Sequence, residues 1–242
     1  MPDTHYKDPR LAEIYDFDSG WSIERDFYFA LAASHHQSIL DLGCGTGLLC
    51  DAYASRGHEV TGVDPARAML DIAERKPNGK LVEWVQASAQ TFRSVKRFDL
   101  IVMTGHAFQA LLTDNDVAAA LATMREHLKP GGRIAFESRN PSFDWRNHWN
   151  YDLNINVAGR TIRETRTLLK FDGARKTFEL HYHFPETTLS SQSELRFMSL
   201  VEIEAALRAA GLDVRSVFGG WQAARFELNA SEEMIFIAGH RN

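Results

Sequence analysis

Residues 38–49 predict a strand, a glycine-rich turn and a helix in immediate succession. Ser38 to Leu42 is a short, mostly apolar run, which is typical of a strand covered on both faces of a sheet. Glycines at 43, 45 and 47 follow, and because glycine lacks a Cβ atom, the chain can turn sharply there and approach a ligand closely. Apolar residues at helical spacing come next, so free N–H groups and the positive end of a helix dipole point into the turn.

The spacing of these glycines differs from the dinucleotide-binding fingerprint. That fingerprint is G-x-G-x-x-G, and its third glycine falls at Leu48. Asp41 precedes the glycines instead, and a carboxylate beside many N–H donors suits a ligand that carries both an ammonium and a carboxylate group. The alternative is a turn in which the glycines serve strand–helix packing alone.

Strands alternate with helices along residues 38–140, which predicts an α/β fold with a doubly wound, parallel sheet. Strands are expected at 38–42, 58–64, 81–86, 98–103 and 133–137. The ligand of such a sheet lies beyond the carboxyl ends of its strands. Gly43, Asp64, Ser88 and Thr104 each lie at such an end, so we expect them to converge on one crevice.

Asp64 has two interpretations. At the end of the second strand it is placed to accept hydrogen bonds from ribose hydroxyls. It is equally suited to cap the helix that follows, and Pro65 at the first helical position fits both interpretations.

The alternation breaks after residue 140 and returns at Ser199, whose spacing to Glu202 predicts a capping box. Between them, strands at 157–171 and 176–185 flank a hairpin signal at Asp172-Gly173, and 191–198 adds a possible third strand. We therefore predict three parts. They are an N-terminal helical cap (1–37), a main domain (38–140 and 199–242) and an antiparallel β insert (141–198) that serves as a substrate lid or a dimer interface.

The overall charge and the cysteines restrict the class of protein. A net charge of −5 argues against a nucleic-acid-binding surface, and no apolar stretch reaches the length of a membrane span. The polar N-terminus does not resemble a signal peptide. Cys44 and Cys50 predict reduced thiols in a cytoplasmic protein. His181 and His183 share a strand face but lack a third ligand, so we predict a polar sheet face and no metal.

Four motifs resemble those of the class I S-adenosylmethionine-dependent methyltransferases. They are Leu40-Asp41-Leu42-Gly43-Cys44-Gly45-Thr46-Gly47, Gly62-Val63-Asp64 before a helix with Met69, Phe98-Asp99-Leu100-Ile101-Val102, and Leu128-Lys129-Pro130-Gly131-Gly132. The resemblance implies a seven-stranded sheet whose last strand is antiparallel, with S-adenosylmethionine as cofactor. The helical N-terminus and the late insert resemble the small-molecule branch, which includes glycine and sugar N-methyltransferases.

The resemblance assigns roles to individual residues. The backbone at Gly43 and Gly45 would hold the methionine part of the cofactor, Asp41 its ammonium group, and Asp64 the ribose hydroxyls. Pro65 and Met69 would line the adenine, and Ser88 and Ala89 would meet its edge. The family often has an acid at the position of Ser88, and a serine hydroxyl accepts the adenine hydrogen bond more weakly. With Thr104 at the end of the fourth strand and Tyr15 in the cap, the predicted cofactor-binding set is Tyr15, Asp41, Gly43, Gly45, Asp64, Pro65, Met69, Ser88, Ala89 and Thr104.

Residues that could contact a methyl acceptor are less well defined by sequence. His106, two residues after Thr104, is the candidate catalytic base, or else it bonds to its own loop and never meets the acceptor. Tyr15 or Trp21 closes over the ligand, or both simply pack in the cap. Arg139 binds an acceptor carboxylate or forms an ion pair. Four aromatic residues either wall the acceptor pocket or attach the insert to the sheet: Trp145, Trp149, Tyr151 and Trp221.

We therefore predict methyl transfer from S-adenosylmethionine to a nitrogen or oxygen of a small-molecule acceptor. The protein is expected to be a monomer or a homodimer. A nicotinamide-dependent oxidoreductase is one alternative, although Leu48 replaces the glycine that it needs. A non-catalytic S-adenosylmethionine-binding regulator is the other. Asn140-Pro141 follows the fifth strand and not the fourth, so the Asn-Pro-Pro-aromatic motif of nucleic-acid N-methyltransferases is absent.

Overall fold

Two sheets organise the computed structural model, which describes residues 3–33, 35–145, 148–157 and 159–241. In chain order the strands are β1 (Ser38–Leu42), β2 (Glu59–Asp64), β3 (Val82–Gln86), β4 (Phe98–Met103), β5 (Leu128–Arg139), β6 (Tyr151–Val157), β7 (Arg160–Asp172), β8 (Arg175–His183), β9 (Thr188–Arg196), β10 (Leu212–Phe218) and β11 (Glu233–His240). The helices are α1 (Thr4–Lys7), α2 (Pro9–Asp18), α3 (Ile23–Leu31), α4 (Leu48–Ser55), α5 (Arg67–Ala73), α6 (Asp114–His127) and α7 (Leu200–Ala209), with short 3₁₀ turns at Gly79–Leu81 and Ala107–Ala110.

The larger sheet has seven strands in the order β3-β2-β1-β4-β5-β11-β10. Strands β1 to β5 pair in parallel, whereas β11 runs antiparallel to both β5 and β10. The predicted doubly wound sheet with an antiparallel last strand is confirmed. Its parallel strands bring the carboxyl ends of β1, β2 and β4 to one edge, and that edge positions the site.

Helices cover both faces of this sheet because neighbouring residues in each strand point to opposite sides. On one face, Leu40, Ile101 and Phe136 pack with residues of α6 and α7. On the other face, strand residues pack with α3 and α4, and this layer includes Ile39, Leu100 and Ala135. The strand residues on both faces are almost fully buried, as expected for parallel strands in an α/β protein.

The smaller sheet is the predicted antiparallel insert, with strand order β6-β7-β8-β9. The hairpin at Asp172-Gly173 is confirmed, since Asp172 pairs with Arg175 across it. The sequence analysis missed β6, whose alternation of apolar and polar residues is typical of a strand with one buried face. The buried face of this sheet packs against Leu11 and Ile14 of α2, so the N-terminal cap lies against the insert. The domain boundaries themselves stay a prediction.

Several predicted element ends were wrong by a few residues. Strand β5 begins at Leu128, five residues before the expected start at 133. Helix α5 begins at Arg67, so Pro65 lies before its first turn. The helical character of the N-terminal cap and the capping box at Ser199 are confirmed. Helix α6 has a capping box as well, in which the Thr113 hydroxyl accepts the N–H of Asp116.

A glycine opposite a tryptophan sets the packing beside the glycine turn. Gly62 of β2 lies directly opposite Trp84 of β3, and a Cβ atom at position 62 would lie 2.4 Å from the Trp84 ring. We expect Gly62→Ala to lower the free energy of unfolding by about 1–3 kcal/mol, because the indole has to move. Urea unfolding would measure the change.

Two further variants control that measurement. Gly220→Ala should change stability by less than about 0.5 kcal/mol, since a Cβ atom there meets nothing within 4 Å. Trp84→Leu should reduce the cost of Gly62→Ala in the double variant. An equal cost with and without the indole would show that the contact is not its cause.

Candidate active site

The glycine turn folds back over the end of β2. Gly43, Gly45 and Gly47 have φ angles of 78°, 53° and 73°, a left-handed conformation that residues with a Cβ atom rarely adopt. The N–H groups of Gly43 and Cys44 donate to the carbonyl of Val63 at 2.7 and 3.0 Å. These bonds hold the turn after β1 against the last residues of β2, so the two strand ends share one crevice.

Asp64 closes this turn from the side of β2. One carboxylate oxygen accepts the N–H of Gly45 at 2.9 Å, and the other accepts the N–H of Ala66 at 2.8 Å, just before α5. Burial raises the pKa of Asp64, against the opposing effect of these two backbone bonds. Both sequence interpretations remain open, because each carboxylate oxygen has a second lone pair available for a ribose hydroxyl. The ribose contact stays a prediction.

Asp41 is a buried carboxylate with one free oxygen. Its side chain is 1% exposed, and its Oδ2 accepts the Cys50 thiol at 3.4 Å. Its Oδ1 is buried and has no hydrogen-bond partner in the described residues. Burial raises the pKa of Asp41 to about 7. An unpartnered carboxylate oxygen next to a turn of N–H donors fits a ligand that carries an ammonium group beside an acid.

Four further predicted cofactor residues lie at the same edge of the sheet. The Ser88 hydroxyl is 2.9 Å from the Thr91 hydroxyl, within the turn that follows β3, and Ala89 is almost buried beside it. The Thr104 carbonyl accepts the N–H of Ala107 at 3.3 Å. The Pro65 carbonyl accepts the Gln86 amide at 3.3 Å. Their contacts with a cofactor are not tested by these bonds and stay predictions.

Met69 and Tyr15 belong to one small cluster between α5 and α2. Met69 is fully buried with Ala12 and Ala66, and Tyr15 packs against this group. Trp21, by contrast, is 45% exposed and lies against Phe29. Of the two aromatic residues expected to close over a ligand, Tyr15 is therefore the one that lies next to the end of β2.

His106 adopts an unusual backbone conformation close to the glycine turn. Its φ is 60° and that of Gly105 is 66°, both in the left-handed region. A Cβ atom on Gly43 would lie 3.0 Å from the Ala107 side chain, so the loop after β4 touches the turn after β1. The His106 ring does not bond to its own loop. Its Nε2 lies 2.9 Å from Oε1 of Glu233 on β11.

Three carboxylates surround His106, and the sequence analysis missed all of them. Glu137 is fully buried and accepts the Tyr28 hydroxyl and the backbone N–H of His106. Glu24 accepts the N–H of Gly105 at 3.0 Å, and Oε2 of Glu233 is buried without a described partner. Burial, followed by the charge of Glu24, raises the pKa of Glu137 well above its usual range. For Glu137, the sequence did contain a sign of a buried polar group, because this carboxylate directly follows the apolar run of β5.

The aromatic candidates fall into two groups. Trp221 lies 6.0 Å from the rings of both Phe27 and Tyr28, close to the carboxylates around His106. Trp145 and Trp149 are buried in the core of the insert, and the hydroxyl of Tyr151 donates to Glu164. Trp221 is therefore placed near the crevice. Trp145, Trp149 and Tyr151 pack within the insert, which is the second of the two interpretations that the sequence allowed.

The cysteines and paired histidines have ordinary surroundings. Cys44 and Cys50 are free thiols. The rings of His181 and His183 bond to Ser190 at 2.8 Å and Thr188 at 3.2 Å. The residues that the structure describes hold no group of three histidine, cysteine or carboxylate side chains placed to share a metal ion. None of the helices in the described part of the chain has the length and apolar character that a membrane crossing requires.

The raised pKa of Asp41 makes a prediction about stability. Because burial raises the pKa of Asp41 from its ordinary 3.8 to about 7 in the folded protein, the folded state holds this proton more tightly between those values. Stability should therefore fall as pH rises from about 4 to about 7, by on the order of 3–4 kcal/mol from this group. Asp41→Asn should remove that part of the pH dependence in urea unfolding. The exposed Asp71→Asn serves as control, and equal profiles for wild type and Asp41→Asn would contradict the assignment.

Comparison with known proteins agrees with this geometry. A family model described as Methyltransferase domain matches residues 39–132. The cypemycin N-terminal methyltransferase of Streptomyces sp is 26% identical over 98% of this chain and 99% of its own length. A ubiquinone biosynthesis O-methyltransferase of Saccharophagus degradans is 35% identical over 43% of this chain and 45% of its own. The S-adenosylmethionine-bound structure of CalS10, an amino pentose methyltransferase from Micromonospora echinaspora, is 25% identical with a TM-score of 0.72, covering 94% of both chains.

The family match and the site concern the same part of the molecule. The matched residues include the glycine turn, Asp41, Asp64 and the loop after β4 that carries His106. These findings favour the methyltransferase over the nicotinamide-dependent oxidoreductase and over a regulator without activity. Residues 39–132 match a methyltransferase domain, and the comparisons together support a class I S-adenosylmethionine-dependent methyltransferase.

Proposed function

We propose that this enzyme methylates the nitrogen of a small-molecule amine. The observation that carries the proposal is the group of three carboxylates, Glu24, Glu137 and Glu233, around the His106 loop. Negative charge on Glu24 and Glu233 attracts a cationic acceptor and holds an ammonium group close to the glycine turn, while the raised pKa of the buried Glu137 favours its neutral form.

The residues at the strand ends fit S-adenosylmethionine. The free Oδ1 of Asp41 would accept its ammonium group, the backbone at Gly43 and Gly45 would hold its methionine part, and Asp64 would accept its ribose hydroxyls. When bound there, this cofactor supplies an electrophilic methyl group on a sulfonium. The protein has to present the acceptor atom in line with that methyl group and exclude water.

The surrounding charge favours nitrogen over oxygen as the acceptor atom. A hydroxyl or phenol is most nucleophilic as an anion, and neighbouring carboxylates oppose its ionisation. An amine binds in its cationic form, which the same carboxylates favour. It becomes nucleophilic in a separate step, when it loses one proton to a base. Since one carboxylate oxygen of Glu233 is buried and free of a described partner, this preference is stronger here than it would be in water.

His106 is proposed to accept the proton that the ammonium group loses. Its Nε2 faces Glu233, so donation of Nε2–H to that carboxylate leaves the lone pair on Nδ1 to accept the acceptor's proton. Loss of this proton frees the amine lone pair. The methyl–sulfur bond of the cofactor would break as the carbon–nitrogen bond forms, with S-adenosylhomocysteine as the leaving group. Glu233 acts as a positioning residue, because it fixes the ring and stabilises the positive charge that the ring gains.

The relatives support this choice of acceptor atom. The protein that aligns along almost the whole chain is named for methylation at an N-terminus, and the structural neighbour is named for an amino pentose. The O-methyltransferase has the higher identity, but it aligns over only 43% of this chain. The longer alignments therefore favour an amine.

The free thiols support a reducing compartment as the location of this activity. Cys44 and Cys50 are unpaired, and thiols persist where glutathione and thioredoxin keep the compartment reducing. A cytoplasmic location is therefore part of the proposal.

Asp64 provides the test of the cofactor site. We expect calorimetric titration with S-adenosylmethionine to show binding to the wild type, and Asp64→Ala to weaken it by about 10–100-fold through lost charge-assisted hydrogen bonds. Asp71→Ala on α5 is the control, because its side chain is exposed. Equal affinity in Asp64→Ala and wild type would reject the ribose contact.

His106 and the choice of acceptor atom are tested by turnover. The enzyme should form S-adenosylhomocysteine with small amines in preference to alcohols and phenols of matched shape. His106→Asn should lower kcat by about 10²–10⁴-fold while cofactor affinity is kept. Asparagine is chosen because it tolerates the left-handed backbone at this position.

The matched control is His183→Asn on the insert, where the ring bonds to the exposed Thr188. It should leave kcat unchanged. Unchanged turnover in His106→Asn would show that another group takes the proton, and a preference for hydroxyl acceptors would reject the nitrogen assignment.

A further inference from the structure

A lysine without a counter-charge is buried in the insert. Lys176 of β8 is 2% exposed, and its ammonium lies 3.1 Å from the centre of the Phe197 ring and 4.5 Å from that of Phe171. No described carboxylate forms an ion pair with it, although buried lysines are almost always paired. Burial, with the charge of Arg139 as a second cause, lowers the pKa of Lys176 to about 8.

Two guanidinium groups lie around the same tryptophan as this lysine. The centre of the Trp149 ring is 5.6 Å from Arg139, 4.9 Å from Arg166 and 5.8 Å from the Lys176 ammonium. The indole N–H of Trp149 is buried and has no partner in the described residues. Three cations and one unpaired donor thus meet at one side chain.

Among the described residues, neither arginine forms an ion pair with a carboxylate. Arg139 donates to the Gln109 side-chain oxygen at 3.1 Å, and Arg166 donates to the carbonyl of Trp149 at 2.7 Å. Glu233 acts on Arg139 and Glu164 acts on Arg166 through their charges, but they bond elsewhere, to His106 and to the Tyr151 hydroxyl. Positive charges gathered without a directly bonded counter-ion cost stability, and a bound anion would offset that cost.

This positive cluster adjoins the proposed methyl-transfer site. Arg139 lies directly opposite Glu233 in the β5–β11 register, yet Glu233 bonds to His106. Cross-strand neighbours have Cβ atoms about 5 Å apart. The negative region around His106 and the positive region around Arg139 and Lys176 are therefore neighbours, joined where Arg139 faces Glu233 across the sheet.

We propose that Lys176 and Arg139 bind an anionic group of the acceptor, a carboxylate or a phosphate, while its amine lies among the carboxylates around His106. The inference rests on the proposed function, since it names the acceptor class as amines that carry an anionic group. Trp149 supplies an N–H donor and an aromatic surface beside the two cations. The insert contributes Lys176, and the main sheet contributes Arg139.

The first test measures anion binding without turnover. Acetate and inorganic phosphate are titrated separately into the protein, and the Lys176 ammonium is followed by NMR of ¹⁵N-labelled lysine. We expect saturable binding of at least one anion and a rise in the Lys176 pKa, because a bound anion favours the charged amine. Comparison of the two anions distinguishes carboxylate from phosphate.

Three variants make the binding test specific. In Lys176→Met and Arg139→Gln, anion affinity measured by calorimetry should fall about tenfold or more. Lys170→Met on the neighbouring strand should bind as the wild type does, since Lys170 is exposed and paired with Asp172. No saturable binding to the wild type, or equal binding to all four proteins, would overturn the proposal.

Thermal unfolding separates a binding role from a structural one. Lys176→Met removes an unpaired buried charge, so its melting temperature should equal or exceed that of the wild type. A marked drop would mean that the lysine supports the fold, and it would overturn the proposal.

Turnover separates this inference from the proposed function. For an amine with a carboxylate, Lys176→Met should raise KM and leave kcat little changed, while the amide of the same acceptor should not respond. Methylation of neutral and anionic amines with equal KM would overturn the anion site but keep the proposed function. Anion binding without methylation of any amine would keep the anion site but overturn the proposed function.

Discussion

The Glu137 carboxylate is the interaction on which the acceptor side of the crevice depends. A fully buried carboxylate is costly to remove from water, and here the Tyr28 hydroxyl and the His106 backbone N–H offset that cost. The two bonds join three separate pieces, α3, the loop after β4 and the end of β5. They also hold His106 in its left-handed conformation, which turns the imidazole towards Glu233. The position of the proposed base therefore follows from a buried carboxyl group on a neighbouring strand.

The positions of the residues proposed for the cofactor could be predicted from sequence because they are set locally. Asp41, the glycines and Asp64 lie within or directly after strands with a clear apolar pattern, and strand order brings those ends together. Glu137 and Glu233 could not be predicted in the same way. They meet His106 through the pairing of β5 with β11, a contact between distant segments that periodicity does not encode. A carboxylate following the apolar Ile134-Ala135-Phe136 was a usable sign of a buried polar group, and the sequence analysis passed over it.

The burial of Lys176 in the insert likewise depends on contacts that the local sequence pattern does not encode. In sequence Lys176 is an ordinary strand lysine close to a turn, and its burial depends on how Trp149 and Phe197 pack above β8. Element types followed from the pattern, but element ends did not. Strand β5 includes a segment with two glycines because its first residue, Leu128, pairs with Phe98 of β4, a contact that the local sequence does not encode. Strand β6 was missed although its alternation was visible in the sequence. Tertiary packing thus determines the residues that distinguish this protein from others with the same sheet.

The residues proposed for the cofactor and those proposed for the acceptor lie in different parts of the chain. The family match ends at residue 132 and contains the residues proposed for the cofactor, apart from Tyr15. Except for His106, the groups proposed for the acceptor lie outside it, on α3, β5, β8 and β11: Glu24, Glu137, Arg139, Lys176 and Glu233. The cofactor residues are held by strand ends of one rigid sheet, whereas the acceptor residues meet only where cap, insert and last strand come together. The acceptor can therefore change between relatives without disturbing the turn proposed to bind the cofactor, which is consistent with an O-methyltransferase aligning over only 43% of this chain.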